Sequence, residues 1–179
     1  MHAKHQRTDL VSLNFRGAKI HDLPDIMHIE KSIEGDHAAN RHTLVDRLNM
    51  FSDGFRVVTT NQTPVGYIES CVWNIHSFDR YEEICQFSKF HSSNGTILFI
   101  IFIGVEIVFQ NMGFGSLLLN DLISIVNRQM PHIQRIQLVS KEQYVDTFYK
   151  KNGFTLVKRL PDYLPEYGGV LMEKCFPFL

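Results

Sequence analysis

TILFIIFIGVEIVFQNMGFGSLLLN, residues 96–120, is the stretch whose reading decides the fold. Ile97 to Phe109 is the longest apolar run in the chain. It is too short to cross a bilayer and is interrupted by Glu106, so it reads as a buried core strand. QNMGFGS, residues 110–116, is a glycine-containing turn, and Leu117, Leu118, Leu122, Ile125 and Val126 then mark the buried face of a helix that Pro131 closes. A strand that turns through glycines directly into a helix start can aim free backbone N–H groups at a phosphate. Two familiar phosphate motifs are excluded. A dinucleotide fingerprint needs a further glycine where Leu118 stands, and a P-loop needs Gly-Lys-Ser/Thr. From these residues alone the turn is either a tight connection or an anion cradle.

Working outward, 179 residues suit one domain with a core large enough to need no staples. A formal net charge of -1 leaves no electrostatic footprint for nucleic acid or an anionic membrane, so the expected partner is a small molecule or a peptide. Cys71, Cys85 and Cys175 are odd in number and far apart, which suggests neither a disulfide framework nor a zinc site and fits a reducing, cytoplasmic setting. The nine histidines are scattered without metal-ligand spacing, so no metal is expected. The first eleven residues lack an apolar h-region or transit-peptide character and read as a flexible N-terminus.

Before the central stretch, residues 12–20 alternate as a first strand, and Asp22 with Pro24 and Asp25 signals a helix start that Gly35 ends. Residues 39–50 form a second helix. Residues 55–60 and 65–73 are two strands joined by the hairpin turn Asn61-Gln62-Thr63-Pro64. Residues 75–95 are irregular and read either as a solvated excursion with a few staples to the core or as a substrate-contacting loop. After the central stretch come a strand over 133–139, a helix over 142–151 stopped by Asn152-Gly153, and two strands over 154–159 and 170–175. The order predicts an α/β (α+β) domain, a mixed and mostly antiparallel central sheet with helices on both faces.

Gln110 to Gly115 matches the Q/R-x-x-G-x-G/A signature of the GNAT superfamily of N-acetyltransferases, which this chain resembles. Three other stretches agree and keep the family's order. Phe15-Arg16-Gly17-Ala18 with Asp22-Leu23-Pro24 is similar to its opening strand and helix. His91 to Gly95 followed by Leu98-Phe99-Ile100 is similar to a loop and strand entry in some members. Phe148-Tyr149-Lys150-Lys151-Asn152-Gly153-Phe154 is similar to its F-Y-x-x-x-G-F segment.

The resemblance implies a GNAT-like acyl-CoA N-acyltransferase fold and acetyl-CoA as co-substrate. It places the pyrophosphate on the backbone of Gln110, Asn111, Met112, Gly113, Phe114, Gly115 and Ser116, and the pantetheine arm along Ile103, Gly104 and Val105. It also implies direct attack by a primary amine, an N–H near Val105 as oxyanion donor, and Tyr149 as general acid. Ile107 departs from the proline common in that turn. The general base is missing from its usual strand, because Leu98 to Ile101 is wholly apolar; Glu106, Glu69 and His91 are the other candidates. That gap leaves a non-catalytic CoA-binding module as the alternative. Asp79, Glu82 and Glu83 hint at a cationic acceptor or else form a solvated face. A homodimer stays open.

Overall fold

The computed structural model describes residues 12–164, 166 and 168–175; the expected flexible N-terminus, residues 1–11, lies outside them. Seven strands form one sheet: β1 (Leu13–Gly17), β2 (Arg56–Thr60), β3 (Thr63–Trp73), β4 (Ile97–Val105), β5 (Arg135–Ser140), β6 (Thr155–Leu160) and β7 (Gly169–Cys175). Their order is β1-β2-β3-β4-β5-β7-β6, and among these pairings only β4 with β5 is parallel. The helices are α1 (Leu23–Glu34), α2 (Arg41–Met50), the single turn α3 (Phe87–Phe90), α4 (Phe114–Gln129) and α5, which starts at Glu142–Tyr144. The expected mixed, mostly antiparallel sheet is therefore present.

Local chemistry explains most boundaries. Asn61 and Gln62 both take positive φ (48° and 72°), which matches the two-residue turn a twisted hairpin favours. Asn40 caps α2 by accepting the Thr43 N–H at 2.9 Å. Asp22 does not cap α1 through its side chain. Its carboxylate turns back to accept the Lys19 N–H at 2.8 Å and both terminal nitrogens of Arg16 at 2.6 and 2.8 Å. The charge-assisted fork from β1 outcompetes the helix amides, and it pins β1 to the start of α1. Beyond Tyr144, α5 loosens into a π-helical turn, Val145–Tyr149, and a tighter turn, Lys150–Asn152, ended by Gly153 at φ 83°. The helix expected over 142–151 is thus present but irregular, widening to a π-helical turn over Val145–Tyr149.

The sheet separates two apolar layers. On one face Ile68, Val72, Leu98 and Ile100 pack under Leu118, Leu119, Leu122 and Val126 of α4, joined by Val145, Tyr149 and Phe154. On the other, Tyr67 and Val57 meet Leu23, Ile26 and Ile29 of α1 and Leu44 and Leu48 of α2. Residues 75–95 are a largely exposed excursion stapled to the core at a few points. Phe78, Ile84 and Phe87 are buried with Trp73 and Phe99 in a third cluster, where the Trp73 and Phe99 ring centroids are 4.3 Å apart. A loop carrying four aromatics gains more by burying them than by staying in water. Its last residue, Gly95, returns the chain to β4 flat against the main chain of Trp73, where an added Cβ would lie 2.6 Å from the carbonyl oxygen.

Gly95→Ala is expected to lose about 1–3 kcal/mol of stability through that forced shift. Urea unfolding monitored by the fluorescence of Trp73 checks this, and a change below about 0.5 kcal/mol would show that the strand entry relaxes freely.

Candidate functional site

β4 and β5 run together for only four rungs, from Ile97 opposite Arg135 to Ile100 opposite Leu138, and then part. β3 holds the rest of β4. An irregularity at Glu69/Ser70 leaves Ile101 as an extra residue on β4, after which Phe102, Ile103, Gly104 and Val105 face Glu69, Ile68, Tyr67 and Gly66. The Glu106 N–H donates to Val65 O at 2.9 Å. By antiparallel alternation, Gly104 and Phe102 then also direct their peptide groups at β3, while Ile103 and Val105 direct theirs into the opening left by β5. Val105 confirms the direction: its carbonyl accepts the Gln110 side-chain amide at 3.0 Å. The strand thus offers a row of backbone donors and acceptors to an extended ligand.

That row leads into the turn. Asn111 (φ 61°) and Gly113 (φ 85°) both take left-handed conformations, which fold the backbone into a concavity before α4 begins at Phe114. The first bond of α4 is Leu117 N–H to Gly113 O at 3.1 Å, so the amides of Phe114, Gly115 and Ser116 precede the helical ladder. A Cβ on Gly115 would sit 3.1 Å from the Phe148 ring, so this glycine lets α5 close against the start of α4. The residues between Gln110 and Ser116 are therefore brought to the end of the same opening as Ile103 and Val105.

Tyr149 is placed on the α4 side of the sheet. Its ring stands edge-on to Phe148 and Phe154 (centroids 5.0 and 5.8 Å) in the cluster that contains Ile100 and Leu138, the last shared rung of β4 and β5. Burial pushes its phenol above the ordinary range, and a Coulombic contribution from Tyr144 pushes the same way. The phenol therefore stays protonated at neutral pH. Among the described residues its hydroxyl makes no hydrogen bond.

Across the sheet lies a cavity of about 430 Å³, lined by Glu30, Ala39 and Arg47 from the α1–α2 side, Tyr81 and Phe87 from the aromatic loop, Ile101 and Phe102 of β4, and Val139 to Lys141 at the end of β5. It opens beside the same separation of β4 and β5. Its polar groups include an exposed set at His37, Asn40 and Glu166 and a buried set at Glu30, Arg47 and Ser140. Arg47 makes a short ion pair with Glu69 and lies 5.2 Å from the Phe87 ring centroid. Glu69 is fully buried, its second oxygen has no partner among the described residues, and burial, only partly offset by Arg47, raises it to about 7. Glu30 is 4% exposed; its two oxygens accept the Ala39 N–H and the Tyr67 O–H, each at 2.8 Å.

The three candidate bases fare differently. Glu69 lies beneath Arg47 rather than on the cavity wall. His91 is structural: its Nδ1 accepts the Val72 N–H at 3.1 Å and its ring stacks on Phe51. Glu106 stays at the end of β4, outside the cavity lining. The acidic hint at Asp79, Glu82 and Glu83 also falls outside it, and Asp79 is paired with Lys158 at 2.8 Å. Glu30 and Arg47 were missed by sequence reasoning, yet each leaves a signal. Glu30 follows Leu23 and Ile26 at seven and four residues, and Arg47 follows Leu44 at three, so both charges sit on apolar helix stripes.

Among the described residues no group of three or more His, Cys, Asp or Glu is arranged to hold a metal, and no helix is long and apolar enough to cross a membrane. No protein-family model and no curated protein matches the sequence. Solved structures do. A GphF GNAT-like decarboxylase in complex with isobutyryl-CoA superposes with a TM-score of 0.76 at 18% identity, over 90% of this chain and 98% of that one. Ard1 from Thermoplasma volcanium gives 0.74 at 20% identity, over 94% and 100%. Arabidopsis thaliana Naa50 in complex with the bisubstrate analogue CoA-Ac-MVNAL gives 0.69 at 19%, over 93% and 100%.

The buried Arg47–Glu69 pair yields a pH-dependent prediction. A carboxyl raised to about 7 in the fold binds more protons there than when unfolded, so its cost to stability grows as pH rises from the usual carboxylate range to about 7. Arg47→Met removes the compensating cation. It is expected to destabilise the protein by about 3–5 kcal/mol at about pH 8, and by far less at about pH 5.5 where Glu69 is protonated. Urea unfolding at both pH values checks this; an equal loss at the two would contradict it. By its likeness to these structures this chain has a GNAT fold, in which β4 and β5 part, β4 bulges at Ile101 and a glycine turn leads into α4.

Proposed function

We propose that the chain is an acetyl-CoA-dependent N-acetyltransferase acting on a primary amine. The observation that carries this reading is the continuity of one backbone surface: the outward peptide groups of Ile103 and Val105, followed by the left-handed Gly113 and the three leading amides of α4. Acetyl-CoA fits such a surface. Its pantetheine arm can pair with a strand edge, and its pyrophosphate with backbone N–H groups at a helix start, without a dedicated cationic side chain. Bound there, the co-substrate supplies a thioester as the acyl donor.

In this reading Gln110, Asn111, Met112, Gly113, Phe114, Gly115 and Ser116 cradle the pyrophosphate through their main chain, and Ile103, Gly104 and Val105 align the pantetheine. The Val105 N–H, directed into the opening, is the donor placed to stabilise an oxyanion as charge develops. Tyr149 gives its proton to the departing sulfur, a role its protonated, unengaged hydroxyl suits. The acceptor amine enters through the cavity on the opposite face. The solved relatives bind isobutyryl-CoA and a peptide conjugated to CoA, and these support an acyl-CoA ligand and a small or peptide amine here.

Incubation with acetyl-CoA and a panel of primary amines, following free thiol, is expected to show amine-dependent release. Binding without such release would instead make the chain a non-catalytic CoA-binding module. Tyr149→Phe should slow transfer about 100-fold while the calorimetric Kd for acetyl-CoA stays within about twofold. Gly113→Val, which forces a β-branched residue to positive φ, should weaken that binding by at least about tenfold.

A further inference from the structure

We infer that Glu30 is the general base of the transfer reaction and the group that selects a cationic primary amine as acceptor. The inference rests on the transferase reading above and completes it, since β4 carries no base. Glu30 stands on the wall of the 430 Å³ cavity that also exposes Ile101 and Phe102, the β4 residues at the bulge from which the free edge of the strand runs on to Val105. Its carboxylate is aimed rather than free. The Ala39 N–H holds one oxygen, and the Tyr67 hydroxyl holds the other from the β3 residue opposite Gly104.

The charge arrangement around it is the decisive feature. Among the described residues, the groups that act on Glu30 are Glu34 on α1 itself, Arg47 on α2, and Tyr67 and Glu69 on β3, with Tyr81, Lys141, Tyr163, His37 and Glu166 on the farther walls and mouth. The two wall cations are committed to other carboxylates. Arg47 is bound to Glu69 beneath it, and Lys141 lies 3.2 Å from Glu34. His37 faces Glu166 at the mouth at 3.4 Å. Both partners of Glu30 are neutral, so among the described residues it is a buried carboxylate without an ion-pair partner, facing a cavity large enough for an aliphatic or benzylic amine. Burial also lifts its pKa above the usual carboxylate range, which brings it closer to a useful base.

The proton balance closes. An incoming ammonium gives one proton to the Glu30 carboxylate; the resulting neutral amine forms the C–N bond as the C–S bond breaks. Tyr149 protonates the departing thiolate and is reprotonated by the second proton leaving nitrogen. Glu30 returns its proton to water through the cavity mouth.

The test compares benzylamine, protonated at neutral pH, with aniline, which is not. Glu30→Gln should lower kcat/KM for benzylamine about 100-fold at about pH 7 and for aniline less than about fivefold. The benzylamine loss should shrink as pH rises, Glu30→Asp should restore part of it, and the Kd for acetyl-CoA should not move. An unchanged rate, or an equal and pH-independent loss for both amines, overturns the proposal. Should the variant fail to fold, calorimetry on the wild-type protein saturated with CoA decides: benzylamine should bind at least about tenfold more tightly than benzyl alcohol, and equal affinities overturn it. If the wild-type protein acetylates no amine, the transferase reading fails, and this calorimetric comparison still reports on Glu30 as an ammonium site.

Discussion

A strand buried on both faces cannot leave its peptide groups unanswered, and β4 is such a strand with half of one edge unpaired. For four rungs β5 meets that edge; beyond Ile100 and Leu138 nothing in the sheet does. β4 stays extended there because the long β3 pairs with it on the other side all the way to Val105. The outward groups of Ile103 and Val105 are consequently held in place with their hydrogen-bonding capacity available. The Gln110 side chain takes up one carbonyl, and the rest is a template for a ligand that can add itself to the sheet. The bulge at Ile101, the αL residues at Asn111 and Gly113, and the start of α4 all follow from how the chain leaves that edge.

The layers on either side of the opening have contrasting chemistry. On the α4 face the packing is apolar to the last shared rung, and the polar group that reaches it is a phenol kept protonated by burial. On the α1 face the core is interrupted by Glu30, Arg47, Tyr67 and Glu69. A buried ion pair is a weak stabiliser, because desolvation of both charges consumes most of the Coulombic gain. The Arg47–Glu69 pair has another consequence: it holds the guanidinium on the floor of the cavity and leaves Glu30 facing the space above. A cation and a carboxylate that could neutralise one another are kept apart by a second carboxylate.

Much of this was legible in the sequence where neighbouring residues carry the signal. The run from Ile97 to Val105, the paired glycines and the Leu118/Leu122/Val126 stripe are local patterns, and so is the turn at Asn61 and Gln62. The parting of β4 from β5 was not legible, because it depends on where two distant strands stop pairing. The acceptor side was hidden for the same reason. Its groups come from α1, α2, β3 and the aromatic loop, and no spacing along the chain announces that they converge. Local propensity also left two details unread. Asp22 has a capping residue's chemistry but answers a stronger donor in Arg16, and α5 has a helical pattern but loosens at Val145–Tyr149, beside the glycine against which Phe148 packs.

The central claim is that one backbone surface, from the free edge of β4 to the first turn of α4, receives a CoA thioester. Amide chemical shifts of the 15N-labelled protein titrated with CoA test it most directly. The account predicts that the amides of Ile103, Val105, Gly113, Phe114, Gly115 and Ser116 shift most and saturate together. Saturable shifts confined to other parts of the chain, or none at these six amides at saturating CoA, would contradict it.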